Sequence, residues 1–161
     1  MKTRNCSFFL PCLIVALAGC AGYSGAGLAP GVATEAEVEK VMGPSADRRQ
    51  RADGEVVRYY SRLPAGREMY AARFGRDGKL IAVEQRLTRA VAARLVPGKS
   101  TSEEVRDLLG PPNRILSFPR IDSEVWLYPM HEGAVRMVLN VDFAAGGIVR
   151  EVRLYDEPDP D

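Results

Sequence analysis

The chain is poor in the side chains that usually build covalent links or metal sites. Its 161 residues include three cysteines, Cys6, Cys12 and Cys20, and one histidine, His131. All three cysteines fall within the first twenty positions, so no disulfide can tie the rest of the chain together and its fold must rely on packing. A zinc site of His and Cys ligands cannot be assembled from one histidine and cysteines so placed, and no metal or cofactor is implied. Net charge is also lacking. The 22 basic and 21 acidic residues sum to +1, which gives no electrostatic reason to expect nucleic acid or an acidic polymer as partner. The longest apolar stretch, SFFLPCLIVALAG over residues 7–19, is shorter than the roughly 20 residues that a membrane-crossing helix needs.

Groups suited to catalysis are equally few. His131 stands beside Glu132 in PMHEG, residues 129–133, which reads as a hairpin loop and makes the imidazole a solvated turn residue rather than a general base. Asp53-Gly54 and Asp77-Gly78 are hairpin turn pairs without the further carboxylates of a calcium loop. Gly22, Gly25 and Gly27 follow no strand and so form no dinucleotide loop. Glu103-Glu104 open a helix, where the macrodipole accounts for them. The expectation is a protein that is not an enzyme.

At the N-terminus Lys2 and Arg4 precede the apolar stretch, as in an export signal. The segment ends in Leu17-Ala18-Gly19-Cys20, which resembles the lipobox of bacterial lipoproteins. That resemblance implies cleavage of residues 1–19 and acylation of Cys20, whose lipid would then be the membrane partner. Each buried methylene contributes about 0.8 kcal/mol to such an anchor. Ala21 after the cysteine implies sorting to the outer membrane, on its periplasmic face. Residues 20–29 are Gly- and Ala-rich and read as a flexible tether, at most about 33 Å long when extended. The acidic, proline-rich residues 156–161 read as a frayed tail.

Between tether and tail the chain repeats itself. PGVATEAEVEKVMGPS at residues 30–45 returns as PGKSTSEEVRDLLGPP at residues 97–112. In each, a threonine (Thr34, Thr101) is followed three residues later by glutamate (Glu37, Glu104), the pattern of a capping box. Val38, Val41 and Met42 in one copy, and Val105, Leu108 and Leu109 in the other, fall on one helical stripe. Gly43-Pro44 and Gly110-Pro111 stop each helix.

A helix of about eight residues is marginal alone, and strands follow to cover it. Val135, Met137, Leu139, Val141 and Phe143 alternate with polar or smaller neighbours, the period of a half-buried strand. EVWLY precedes this strand and IVREVRLY follows it; the first copy supplies EVVRYYSRL, EMYAARF and KLIAVEQRL in the same order. The pattern predicts an α+β fold of two tandem units, residues 30–87 and 88–155. Each would be a short helix or helix pair followed by a three-stranded antiparallel meander. Alignment of Tyr59 with Trp126 keeps the spacing of the helices and places a length change after them. Thr88–Leu95 adds a short helix ahead of the second copy.

The pattern G-x-[ST]-x-x-[EQ]-V-x-x-x-[LM]-G-x-P, with an aromatic strand and a hairpin ending in F-x-x-x-G, resembles the SmpA/OmlA (BamE-like) outer-membrane lipoprotein domain. Gly98, Thr101, Glu104, Val105, Leu109, Gly110, Pro112, Trp126, Tyr128, Phe143 and Gly147 carry it in the second copy. In the first, Gly31, Thr34, Glu37, Val38, Met42 and Gly43 match, with Ser45 in place of proline and Tyr59 in place of tryptophan. The tandem arrangement resembles the β-lactamase inhibitor proteins, which implies two sheets joined edge to edge with the helices on one face. The lipoprotein resemblance implies an accessory role in the outer-membrane β-barrel assembly machinery.

Recognition is therefore the expected chemistry. Tyr59, Tyr60, Tyr70, Trp126 and Tyr128 are the candidate protein interface, because aromatic rings on an open sheet give contact area with little rotamer entropy to lose. The competing expectation is that these rings fill the core, although alternation sends Tyr59 and Tyr60 to opposite faces. Arg48, Arg49 and Arg51 form a basic cluster that reads as a charged edge strand or as a contact for anionic partners. Three roles stay open: an adaptor in barrel assembly or envelope integrity, an enzyme-inhibitor-like module in the periplasm, and a structural lipoprotein contacting peptidoglycan or lipid.

Overall fold

The computed structural model describes residues 23–157. Cys20, the signal segment and residues 158–161 lie outside that range. The fold is α+β, with two tandem units that each carry a four-stranded antiparallel sheet. The first unit contains α1 (Glu35–Met42), β1 (Asp47–Gln50), β2 (Val56–Ser61), β3 (Met69–Phe74) and β4 (Leu80–Gln85). A four-residue helix, α2 (Arg89–Ala92), leads into the second unit: α3 (Ser102–Leu109), β5 (Arg114–Phe118), β6 (Ser123–Glu132), β7 (Val135–Phe143) and β8 (Val149–Asp156). Strand order is sequential in both sheets.

The capping boxes form in both copies. Thr34 and Thr101 accept from the amides of Glu37 and Glu104, whose carboxylates accept in return from the threonine amides at 2.7 and 2.8 Å. This backbone donation holds the Glu37 carboxyl below its usual range. Ahead of each helix the chain pairs with the start of the last strand of its unit. Gly31 donates to Leu80 at 2.7 Å and Gly98 to Val149 at 2.8 Å, and Thr34 and Thr101 bridge Lys79 and Ile148. A register shift falls at the same place in both units, between Arg73 and Phe74 and between Asp142 and Phe143. The duplication thus extends from the sequence to individual hydrogen bonds.

Several expectations require correction. Each helix is followed by four strands, not three, because Asp47–Gln50 and Arg114–Phe118 add an edge strand to the meander. Pro129–Glu132 continue β6 instead of forming a loop; Glu132 pairs with Val135, so the turn is Gly133-Ala134. The described part of the tether, residues 23–29, is seated on the first unit. Leu28 packs beside the α1 core, and the Arg62 guanidinium lies 3.4 Å from the centre of the Tyr23 ring. At the other end Asp156 belongs to β8, and Glu157 pairs through its carboxylate with Arg67 and Arg136.

The largest correction concerns how the units meet. The sheets are separate, not joined edge to edge, and the first is covered on both faces. One face, with Val56, Tyr60, Ala72, Phe74 and Leu80, packs on Val38 and Met42 of α1. The other, with Val57, Tyr59, Met69 and Ala71, shares a single core with Val105 and Leu109 of α3 and with the inner face of the second sheet. So α3 serves both units. Its flanks are clamped to β1 by ion pairs, Arg49 with Asp107 and Arg106 with Asp47, the latter at 2.9 Å.

Candidate partner-binding site

The aromatic strand residues do not form an open surface. Tyr59 is fully buried and donates from its hydroxyl to the Asp107 carbonyl at 2.6 Å; burial pushes its phenol up to about 12. Tyr128 is also fully buried, donates to the Gly110 carbonyl at 3.2 Å, and is raised by burial as well. Tyr60 lies beneath α1 and Tyr70 is half-buried against the same cluster. Trp126 retains 8% exposure and packs on Phe143, ring centres 4.8 Å apart. Tyr59 and Tyr60 do point to opposite faces, but a helix waits on each side. For Tyr59 and Tyr60, covering both faces of the first sheet turns an expected interface into core; Trp126 and Tyr128 lie in the second sheet and fill the core that the two units share.

Register also reassigns the partner of Trp126. In the first unit Arg58 pairs with Arg48 and Ala72; in the second Trp126 pairs with Ile115 and Val141. The residue equivalent to Trp126 is therefore Arg58, and Tyr60 is equivalent to Tyr128. One residue enters in the connection between the first two strands of the second sheet and another in the hairpin that follows. A shift by one residue moves a side chain to the opposite face, which is why Tyr59 could not play the part of Trp126.

That substitution makes the two units chemically different at the same place. In the first, Arg58 reaches up to α1 and binds Glu35 at 2.8 Å and Glu39 at 2.7 Å, with Arg48 at 3.9 Å from Glu35. These carboxylates outweigh the burial cost of the guanidinium and raise its pKa further. In the second, Ser102 stands at the position of Glu35, Trp126 at that of Arg58 and Ile115 at that of Arg48. The space is left as a cleft of about 360 Å³, lined by Ser102, Ser117, Phe118, Asp122, Ser123, Glu124, Trp126 and the 144–147 turn. Glu124 accepts from the Trp126 indole N–H at 3.2 Å. Among the described residues neither Asp122 nor Glu124 has an ion-pair partner.

Next to the cleft runs β5, an outer strand of the second sheet. Ile115 is 47% and Phe118 45% exposed, and Ile121 in the following turn is 66% exposed. The equivalent β1 reads Asp-Arg-Arg-Gln and is blunted by charge in the way edge strands usually are, as the basic cluster suggested. Sequence reasoning missed Ile115, Phe118, Ile121, Asp122 and Glu124. The available signal was the apolar run RILSF, standing between Pro112 and Pro119 where the first copy has DRRQ.

His131 is not a free turn residue. It lies at the end of β6 and its Nε2 meets Glu68 Oε1 of the first unit at 2.9 Å, while Nδ1 faces the Gly133 carbonyl at 3.2 Å. The Gly133 carbonyl and then Glu68 raise the imidazole above its ordinary value; burial opposes ionisation of Glu68, but bonds from His131 and the Arg67 amide outweigh it and lower that carboxyl. Among the described residues no group of three or more His, Cys, Asp or Glu side chains converges as a metal site requires, and no helix is long and apolar enough to cross a membrane.

No family model matches the chain, and no curated protein matches it. Among solved structures it is similar to a DUF4309 family protein, YjgB, from Bacillus subtilis subsp. subtilis str. 168. The identity is 21%, the match spans 82% of this chain and 84% of that one, and the TM-score is 0.33. An overlap this low establishes neither a common fold nor a common role.

Proposed function

We propose that this chain is a non-enzymatic binding module, held at the periplasmic face of the outer membrane by acylated Cys20, that acts in outer-membrane β-barrel assembly or envelope integrity. The observation that carries the reading is the concentration of exposed Ile115, Phe118 and Ile121 around one cleft of the second unit, set on a core that both units share. A shared core makes a rigid platform, and apolar side chains held rigid and exposed suit protein contact. The anchor is supported by Leu17–Cys20, and the process by the SmpA/OmlA-like motif. Cys20 lies three residues from Tyr23, a reach of at most roughly 11 Å, so an acylated chain would hold the first unit against the headgroups.

Cross-linking in intact cells, followed by affinity purification and mass spectrometry, tests the reading. Subunits of the barrel-assembly machinery are the expected neighbours. Recovery of only a soluble periplasmic enzyme would replace it with the inhibitor-like role, and recovery of only peptidoglycan or lipid with the structural one.

A further inference from the structure

The two copies give a comparison within one molecule. At the site under α1 the first unit holds its own guanidinium, Arg58, between the carboxylates of Glu35 and Glu39. The second unit has replaced that cation with an indole, Glu35 with Ser102 and Glu39 with Arg106, which turns away to pair with Asp47 at 2.9 Å. Two carboxylates, Asp122 and Glu124, line the resulting cleft, and among the described residues its lining includes no cation. Arg150 stands at its margin, where it donates to the Ser123 hydroxyl at 3.3 Å and keeps its charge. Two carboxylates that have no ion-pair partner among the described residues, the Ser102 and Ser117 hydroxyls and an aromatic wall are complementary to a guanidinium or ammonium group.

The edge beside it differs in the same sense. Of the two first strands, β1 is charged and tied to α3 through Arg49 and Asp107. The other, β5, presents Ile115 and Phe118; among the described residues neither β1 nor β5 has a strand partner on its outer side. An edge with a single charge, Arg114 at its start, against three in β1, is a template for strand addition, with backbone hydrogen bonds supplying affinity and side-chain pockets supplying specificity.

We infer that the second unit binds an extended segment of a protein partner along the outer edge of β5, and that an arginine or lysine of that segment enters the cleft among Trp126, Asp122 and Glu124. This rests on reading the chain as a binding module and names the chemistry that its partner must offer. The first unit does not compete, because Arg58 already fills its equivalent site and β1 is blunted.

The test titrates the purified, acylated full chain in detergent with a fluorescent octapeptide of alternating valine and threonine carrying one central arginine. A second peptide carries citrulline there, which keeps the shape and removes the charge. The arginine peptide binds at least about tenfold more tightly, the preference disappears in Asp122→Asn with Glu124→Gln, and hydrogen exchange slows at residues 114–118 but not at 47–50. Both substitutions are at exposed positions and keep side-chain size, so folding survives them. Equal binding of the two peptides, no binding of either at millimolar concentration, or protection elsewhere overturns the inference. So does a dimer in which β5 is already protected by a second copy. If cross-linking in cells captures an envelope protein while the peptides fail, the inference falls and the binding-module reading stands; if both fail, both fall.

Discussion

Gly43 and Gly110 end equivalent helices with nearly the same backbone, φ 85° and ψ −170° in one and φ 82° and ψ −170° in the other. Both lie where an L side chain is strained, so alanine at either costs about 1–3 kcal/mol from the backbone alone. Their surroundings differ. A Cβ at Gly43 would meet nothing within 4 Å, whereas at Gly110 it would stand 2.8 Å from Cδ1 of Tyr59 and 3.0 Å from Cγ of Met69. Those two atoms belong to the first unit and are buried, so they cannot swing into solvent, and overpacking adds about 1–3 kcal/mol. Gly110→Ala should therefore lose more stability than Gly43→Ala by that second amount. Urea unfolding followed by the fluorescence of Trp126, the one tryptophan in the chain, reads both variants. Equal losses would refute the reasoning, because they would mean that the end of α3 does not press on the first sheet and that the units lack a common core.

Other consequences follow from the same packing. Trp126→Ala should lower stability by about 3–5 kcal/mol as a buried ring stacked on Phe143; a loss below about 1 kcal/mol would show that the indole is not part of the core. The His131–Glu68 contact between units should be pH-dependent. Because the His131 value is raised, its contribution is complete below the ordinary value near 6.5 and is lost as pH rises through the folded value; the lowered Glu68 contributes above its ordinary value and is lost as pH falls through the folded one. Unfolding midpoints of the native chain and of His131→Gln should differ most between those limits and draw together as pH rises past the folded value of His131, and a gap independent of pH would contradict the pairing. For the anchor, Cys20→Ala should leave the membrane fraction after a salt wash, and retention there would remove acylation as the cause of attachment.

What could be read from the letters was local. Thr34–Glu37 and Thr101–Glu104 specify their caps through contacts three residues apart, and Gly43 and Gly110 end their helices through backbone geometry, so both helices were legible without tertiary knowledge. The edge strands were legible only in part: the basic cluster at Arg48, Arg49 and Arg51 marked the first, and the second carried no comparable signal. Asp47–Gln50 alternates no apolar residues, and Arg114–Phe118 shows no clean period because both of its faces are largely exposed. The fate of the aromatic residues was hidden for a different reason. Val56–Ser61 is buried on both faces because α3, separated from it by some fifty residues of chain, supplies the second cover; nothing within the strand encodes that. The equivalence of Trp126 with Arg58 was lost through a one-residue insertion in a turn, too short to disturb the pattern yet enough to exchange the faces. The cleft needed both corrections, since it becomes visible only when Ser102 and Trp126 are set against Glu35 and Arg58.

A photoreactive amino acid placed singly at Phe118, Arg48 and Tyr155 in living cells decides whether the anchored chain engages its partner through the second unit. A cross-link to a barrel-assembly subunit is expected from Phe118 and none from Arg48, on the equivalent edge of the first unit. Cross-links from Arg48 or Tyr155 without one from Phe118, or no protein product from any of the three, would contradict it.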